Sequence, residues 1–169
     1  TLLISNFALM FGFNIWQHLF NNFAVNVVGV QASQIGLIQS LREIPGLLSF
    51  WLAFLALLLV EVEVLSLSTI LMGVGLIAMG MAQTWTQMIF GVMVTSIGFH
   101  AFYPHSNAVA LMITDEAGAP RLLGTLRMWS AASALASTLA IVLLVNRLGF
   151  ANLFYFAGGL TIAGGLLSW

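Results

Sequence analysis

Polar side chains at helical spacing interrupt the first long apolar segment of this chain. Asn14, His18 and either Asn21 or Asn22 are separated by three or four residues, which places them on one face of a helix. Amide and imidazole groups can both donate and accept hydrogen bonds, so this face could bind a polar solute. A single asparagine more often hydrogen-bonds a neighbouring helix. The whole polar set, spread over several segments, favours a polar cavity.

Ionisable side chains lie inside three other apolar segments. Arg42 and Arg127 could pair with a carboxylate or phosphate group of a solute, although Arg127 could instead extend to a membrane surface. Glu43, His100 and His105 are the candidates to carry a proton in coupled transport. The simpler alternative for His100 is a neutral histidine held by a hydrogen bond. The substrate-cavity candidates are Asn14, His18, Asn22, Arg42, His100 and Arg127.

Several kinds of chemistry have no support in the sequence. No hydrolase motif surrounds any serine, and the chain contains no cysteine to serve as a nucleophile or thiolate ligand. His100 and His105 are five residues apart, which points them in different directions on a helix and makes a poor metal pair. We therefore expect no catalytic residue, no metal and no cofactor, and we expect that the protein is not an enzyme. The net charge of −1 also argues against nucleic-acid binding.

The composition predicts that these polar residues lie in a membrane. Of 169 residues, 61% are hydrophobic and 5% are charged. A soluble domain has about 25% charged residues, so this chain lacks the polar surface that water requires. We expect an all-α protein whose partners are a lipid bilayer and a small-molecule solute.

Six apolar segments are long enough to cross a bilayer, since a spanning helix needs about 20 residues. Short polar stretches separate them, and Ser33 is the expected N-cap of the second. The third and sixth segments carry no ionisable residue between their ends. We therefore expect these two on the lipid side and the other four around a polar centre. The predicted transmembrane helices span residues 2–30, 34–60, 64–82, 87–114, 122–145 and 150–169.

This layout resembles one half of a major facilitator superfamily transporter. The sequence QIGLIQS at Gln34–Ser40 is similar to the usual opening of the second helix in that family, and Arg42–Gly46 continues it. The stretch Gly98–Pro104 is similar to the fourth helix. The resemblance covers the whole chain and implies the amino-terminal six-helix half of a 12-helix secondary transporter. It also implies alternating access, a solute held between the two halves, and a bacterial inner membrane.

The chain departs from the family pattern at the loop between the second and third helices. The family carries a Gly-x-x-x-Asp-Arg-x-Gly-Arg-type motif there, whereas this chain has Val60–Val64 with two glutamates and no arginine. The arginine often found in the fourth helix is also absent, and His100 occupies that region. These departures favour a second hypothesis, a non-transporting scaffold or assembly subunit of a larger membrane complex. A third possibility is a six-helix protein that forms a homodimer.

Overall fold

The described part of the chain is entirely helical. The computed structural model describes residues 1–48, 50, 54 and 58–169. No β-strand occurs among these residues, and the predicted all-α class is confirmed. The helices are α1 (Leu2–Phe23) with a following π-helical turn (Ala24–Val28), α2 (Ala32–Arg42), α3 (Ile44–Leu47), α4 (Glu61–Met81), α5 (Trp85–Met112) and α6 (Ala119–Leu166).

The long helix α6 is interrupted at Gly149. Its φ of 77° and ψ of 172° are non-helical, and glycine adopts such positive φ values without the steric penalty of a Cβ. We call residues 119–148 the amino-terminal arm and residues 150–166 the carboxy-terminal arm. The break falls in the predicted turn between the fifth and sixth segments.

The chain reverses at Gly149, because both arms meet the same stretch of α1. From the amino-terminal arm, the Leu126 carbonyl accepts a hydrogen bond from Asn6 Nδ2 at 3.1 Å. From the carboxy-terminal arm, Thr161 Oγ1 donates to the Ala8 carbonyl at 3.2 Å. The two arms therefore form a helical hairpin against α1.

The predicted first helix is too long. Regular α-helix ends at Phe23 and continues only as the π-helical turn, instead of reaching residue 30. Gly29 has a φ of 76°, a left-handed conformation that commonly ends helices and that glycine tolerates best. The polar Gln31 then begins the next element, so Gly29 sets the boundary.

The predicted second helix, residues 34–60, is not continuous. It begins at Ala32, and Gln31 rather than Ser33 is the N-cap, with its N–H donating to Gln34 Oε1 at 2.9 Å. Regular helix stops at Arg42 and resumes as α3, where Pro45 has no N–H to donate to a preceding carbonyl. Residues 49, 51–53 and 55–57 of this prediction lie outside the described residues, and residues 58–60 are not helical.

Close approach at glycines brings α4 against two neighbours. A Cβ on Gly75 would lie 2.5 Å from the Thr95 nitrogen of α5, and a Cβ on Gly73 would lie 2.6 Å from the Gly158 carbonyl oxygen of the carboxy-terminal arm. Small residues on opposite faces of α4 let both helices pack tightly against it. In its most apolar 18-residue stretch, 61% of the residues are buried, against 11% in α6. The third helix is thus enclosed by its neighbours, unlike the outer position expected for it.

Two of the described helices, α4 and α6, are long and apolar enough to cross a membrane. At 22 and 28 residues, α1 and α5 have sufficient length as well. They differ from α4 in carrying the asparagines and histidines singled out from the sequence.

Candidate functional site

An ion-pair cluster joins α1, α2 and α5. Arg42 donates through Nε and Nη2 to Oε1 of Glu43, at 2.9 and 2.5 Å. His100 Nε2 lies 3.7 Å from the other carboxylate oxygen of Glu43. The Arg42 guanidinium carbon lies 4.9 Å from the centroid of the Trp16 ring, a cation–π contact. We call Trp16, Arg42, Glu43 and His100 the Arg42 cluster.

Arg42 and Glu43 are adjacent in sequence at the end of α2. Adjacent side chains on a helix start about 100° apart, but the long Arg42 and Glu43 side chains bend far enough to form an ion pair. Ser96 Oγ of α5 donates to the Arg42 carbonyl oxygen, which ties this helix end to α5. Sequence reasoning missed Ser96, because serine is common in packed membrane helices and carries no distinguishing pattern.

The space beside the Arg42 cluster is small. Its cavity has a volume of about 10 Å³, which is close to the minimum for one water molecule. A solute molecule therefore does not fit inside this cluster as it stands. The cavity is lined by Phe13, Trp16, Arg42, Met72, Thr95, Ser96, Phe99 and His100.

A second polar cluster surrounds Arg127 in the amino-terminal arm of α6. Its Nη1 donates to the Tyr103 hydroxyl oxygen of α5 at 3.0 Å, and its guanidinium carbon lies 5.7 Å from the Tyr103 ring centroid. Nearby, the buried Asn6 of α1 donates to the Leu126 carbonyl and to Ser130 Oγ, at 3.1 and 3.0 Å. We call Asn6, Tyr103, Arg127 and Ser130 the Arg127 cluster. The sequence signal for Asn6 was weak, because no other polar residue follows it one turn later.

An aromatic series connects the two clusters. Trp16 and Phe13 have ring centroids 6.1 Å apart, and the Phe13 ring stacks on Phe99 at 4.3 Å with 19° between the planes. Phe99 in turn contacts Tyr103 at 5.2 Å. Arg42 and Arg127 lie at opposite ends of this series, so the two cations belong to separate polar regions.

The predicted polar face of α1 points away from the helical core. His18 and Asn22 are exposed and Asn14 is half-buried, whereas the opposite face of α1 is buried. Asn14 Nδ2 donates to the Met10 carbonyl at 2.6 Å, and His18 Nδ1 donates to the Asn14 carbonyl at 2.7 Å. Over the described ranges, no hydrogen bond joins this face to the Arg42 cluster. Asn14, Gln17, His18, Asn21 and Asn22 form what we call the polar face of α1.

His105 takes no part in either cluster. Its ring is buried, and Nδ1 donates to the Ala101 carbonyl of its own helix at 2.8 Å. No ion pair to Glu43 is found for it in the described part of the chain. Its role in proton coupling therefore stays a prediction. Among the described residues, no group of three histidine or acidic side chains is arranged to hold a metal ion.

Neither a family model nor a curated protein sequence matches the chain. The two clusters and the polar face of α1 are therefore the basis for assigning a function.

Proposed function

We propose that this protein is a membrane transporter that moves a small polar or anionic solute along a path bordered by the polar face of α1. The supporting observation is that α1 buries its apolar side and exposes amides and an imidazole, including His18 and Asn22. In a bilayer, polar groups facing lipid are unfavourable, so they normally face water or protein. A face of five polar residues over about two helical turns suits a water-filled path.

The proposed architecture is six transmembrane helices that resemble one half of a major facilitator superfamily transporter. The amino-terminal and carboxy-terminal arms of α6 supply the fifth and sixth helices on either side of Gly149. Because the cavity at the Arg42 cluster has room for about one water molecule, the solute path needs a second surface to complete it. A second six-helix half, in the same chain or a partner, would supply that surface. A bacterial inner membrane is the location that the family resemblance implies.

The Arg42 cluster contributes charge to this path. Glu43 has half of its side chain exposed, and we propose it as a proton carrier. While Glu43 is neutral, Arg42 has no counter-charge in the cluster and attracts an anionic solute. His100, 3.7 Å from the same carboxylate, is positioned to exchange a proton with it through a small movement. These residues would couple proton movement to solute binding.

The aqueous path is tested by cysteine accessibility. Asn14→Cys, His18→Cys and Asn22→Cys variants of the full-length protein, in a background without other cysteines, are treated in membranes with a charged thiol reagent. The matched control is Leu135→Cys, since Leu135 is 74% exposed on the apolar amino-terminal arm. We expect all three α1 variants to react at least about tenfold faster than the control. The thiolate is the reactive form, and a cysteine forms it where water reaches the side chain. Equal, slow reaction at all four positions would contradict a water-filled path.

Solute flux is tested in reconstituted vesicles. Uptake of labelled succinate, benzoate and glycerol phosphate is measured with and without a proton gradient. We expect uptake of at least one anion, and we expect the double variant Arg42→Ala, His100→Ala to abolish it. The control variant is Arg147→Gln, which changes an exposed arginine outside both clusters. Uptake that persists unchanged in the double variant would remove the Arg42 cluster from the site.

One observation favours a second candidate function, a scaffold subunit of a membrane complex. Arg42 is already paired with Glu43, and the adjoining cavity is too small for a solute, so the cluster could simply hold α2 against α5. A scaffold predicts that the polar face of α1 is covered by a partner protein. Slow labelling of His18→Cys that becomes fast after separation from co-purifying subunits, together with no flux, would establish this alternative.

A further inference from the structure

We propose that Arg127 and Tyr103 form a binding site for an oxyanion, either carboxylate or phosphate, that is separate from the Arg42 cluster. This inference deepens the proposed function, and it relies on that function only for the membrane setting.

The two intramembrane arginines differ in their counter-charge. Arg42 donates two hydrogen bonds to the carboxylate of Glu43, so its charge is already balanced. Arg127 has no carboxylate within ion-pair distance among the residues that the structure describes. Its hydrogen bond there goes to the neutral hydroxyl of Tyr103. An arginine at membrane depth is stabilised by an anion, and the described residues provide none for Arg127.

The guanidinium of Arg127 is held in a defined orientation. The Tyr103 hydroxyl accepts from Nη1 at 3.0 Å, and the guanidinium carbon stays 5.7 Å from the ring. Asn6 fixes the backbone beside it, because Nδ2 bonds the Leu126 carbonyl and Ser130 Oγ. With one edge of the guanidinium engaged by tyrosine, the remaining N–H groups are presented together. That planar arrangement matches the two oxygens of a carboxylate or phosphate.

The pocket beside Arg127 has a polar side and an apolar side. Ser106 and Asn107 of α5 line the same pocket, while Leu123 and Leu126 form its apolar side. Electrostatic attraction is stronger beside such apolar side chains than in open water. The enclosed part of the pocket measures about 10 Å³, so the anion would bind at its open side, where Arg127 is exposed.

The test is protection of Arg127 from an arginine-specific reagent. The full-length protein in phosphatidylcholine vesicles is treated with phenylglyoxal, and modification of each arginine is followed by mass spectrometry. Inorganic phosphate, acetate and benzoate are the soluble probes. At an anion concentration about ten times its dissociation constant, modification of Arg127 should slow about tenfold. Arg121 and Arg147, which are exposed outside both clusters, should be modified at unchanged rates.

A second arm separates a soluble anion from a lipid headgroup. The experiment is repeated without soluble anions, in vesicles that contain phosphatidylglycerol as well as phosphatidylcholine. Protection of Arg127 by the soluble probes supports a solute site, and protection only by phosphatidylglycerol supports the same oxyanion site occupied by lipid. If neither slows modification of Arg127 more than that of Arg121, the proposal is overturned.

Two variants test the geometry and do not depend on flux. Tyr103→Phe removes the hydroxyl that orients Arg127 and should reduce the anion protection by about tenfold in apparent affinity, the usual size for a hydrogen bond to a charged group. Ser137→Ala, a buried serine further along the same arm whose hydroxyl bonds its own helix, should leave protection unchanged. Because protection is measured without transport, a protein that shows no flux can still confirm the oxyanion site. A transporter without protection at Arg127 would overturn this inference alone.

Discussion

Alanine substitutions at the adjacent residues Gly158 and Gly159 should affect stability differently, with Gly159→Ala stabilising and Gly158→Ala neutral to destabilising. A Cβ on Gly158 would lie 2.7 Å from the Gly73 carbonyl oxygen and from Ile77 Cγ1. A Cβ on Gly159 would meet no described atom within 4 Å. Each variant replaces one glycine of the same helix by alanine, so the change in intrinsic helix propensity is the same in both. Their difference therefore reports the close packing of α4 against the carboxy-terminal arm.

The expected magnitude follows from two opposing effects. Replacing glycine by alanine in a helix interior contributes about 1 kcal/mol in favour of folding. At Gly158 the contact at 2.7 Å is with a backbone oxygen, so the two helices must separate by about 0.8 Å to restore ordinary van der Waals distances. Overpacking of this kind costs about 1–3 kcal/mol. We expect Gly159→Ala to raise the free energy of unfolding by up to about 1 kcal/mol, and Gly158→Ala to lie about 1–3 kcal/mol below it.

The measurement is thermal unfolding of both variants in the same detergent, followed by tryptophan fluorescence. Unfolding temperatures should follow the order Gly159→Ala above wild type, and Gly158→Ala several degrees below Gly159→Ala. If Gly158→Ala unfolds at the same temperature as Gly159→Ala, the tight approach of α4 to the carboxy-terminal arm is wrong.

Two further substitutions probe buried polar groups. Asn6→Ala should lower the free energy of unfolding by about 1–2 kcal/mol, because it removes the bonds to the Leu126 carbonyl and Ser130 Oγ. The control is Asn152→Ala, which removes a solvent-exposed bond to the carbonyl of Leu148, four residues earlier; it should change the free energy by less than about 0.5 kcal/mol. Ser66→Ala should raise the free energy of unfolding by about 1 kcal/mol, since Ser66 Oγ is buried with no hydrogen-bond partner in the described part of the chain. Chemical or thermal unfolding measures this change, and a lower free energy of unfolding would contradict the expectation.

Two helix boundaries have local signals in the sequence. Gly149 interrupts α6 inside the predicted turn, and Thr84 caps α5 by accepting from the Gln87 N–H at 3.3 Å. Such boundaries depend on residues close in sequence, so they can be predicted without knowing the fold. The interruption of the second helix at Glu43 has one local signal, Pro45, and one partner that the local sequence does not reveal, the hydrogen bond from Ser96 of α5 to the Arg42 carbonyl.

Helix positions could not be predicted from hydropathy in the same way. In a soluble protein the apolar face of a helix identifies the side that packs in the core. In a membrane protein the lipid-facing side and the packed side are both apolar, so hydropathy does not distinguish them. An apolar helix such as α4 therefore carries no hydrophobic pattern that separates an enclosed position from a lipid-facing one. Its small residues Gly73 and Gly75 were the better indicator, since they permit the close contacts that enclose it.

The site residues divide for a related physical reason. Sequence spacing correctly placed Asn14 and His18 on one face of α1, because that depends only on helical geometry. The state of each arginine depends instead on tertiary partners. Arg42 pairs with the carboxylate of Glu43, whereas Arg127 donates to the hydroxyl of Tyr103 on α5.

This difference between the arginines bears on how a transporter built this way would work. Near Arg42, an anionic solute has to compete with the carboxylate of Glu43, which already accepts two of the hydrogen bonds that the guanidinium donates. Near Arg127, no carboxylate of the described residues competes for the guanidinium. The stacked Phe13 and Phe99 rings lie between the two regions. Soluble anions should therefore protect Arg127 from phenylglyoxal more strongly than they protect Arg42.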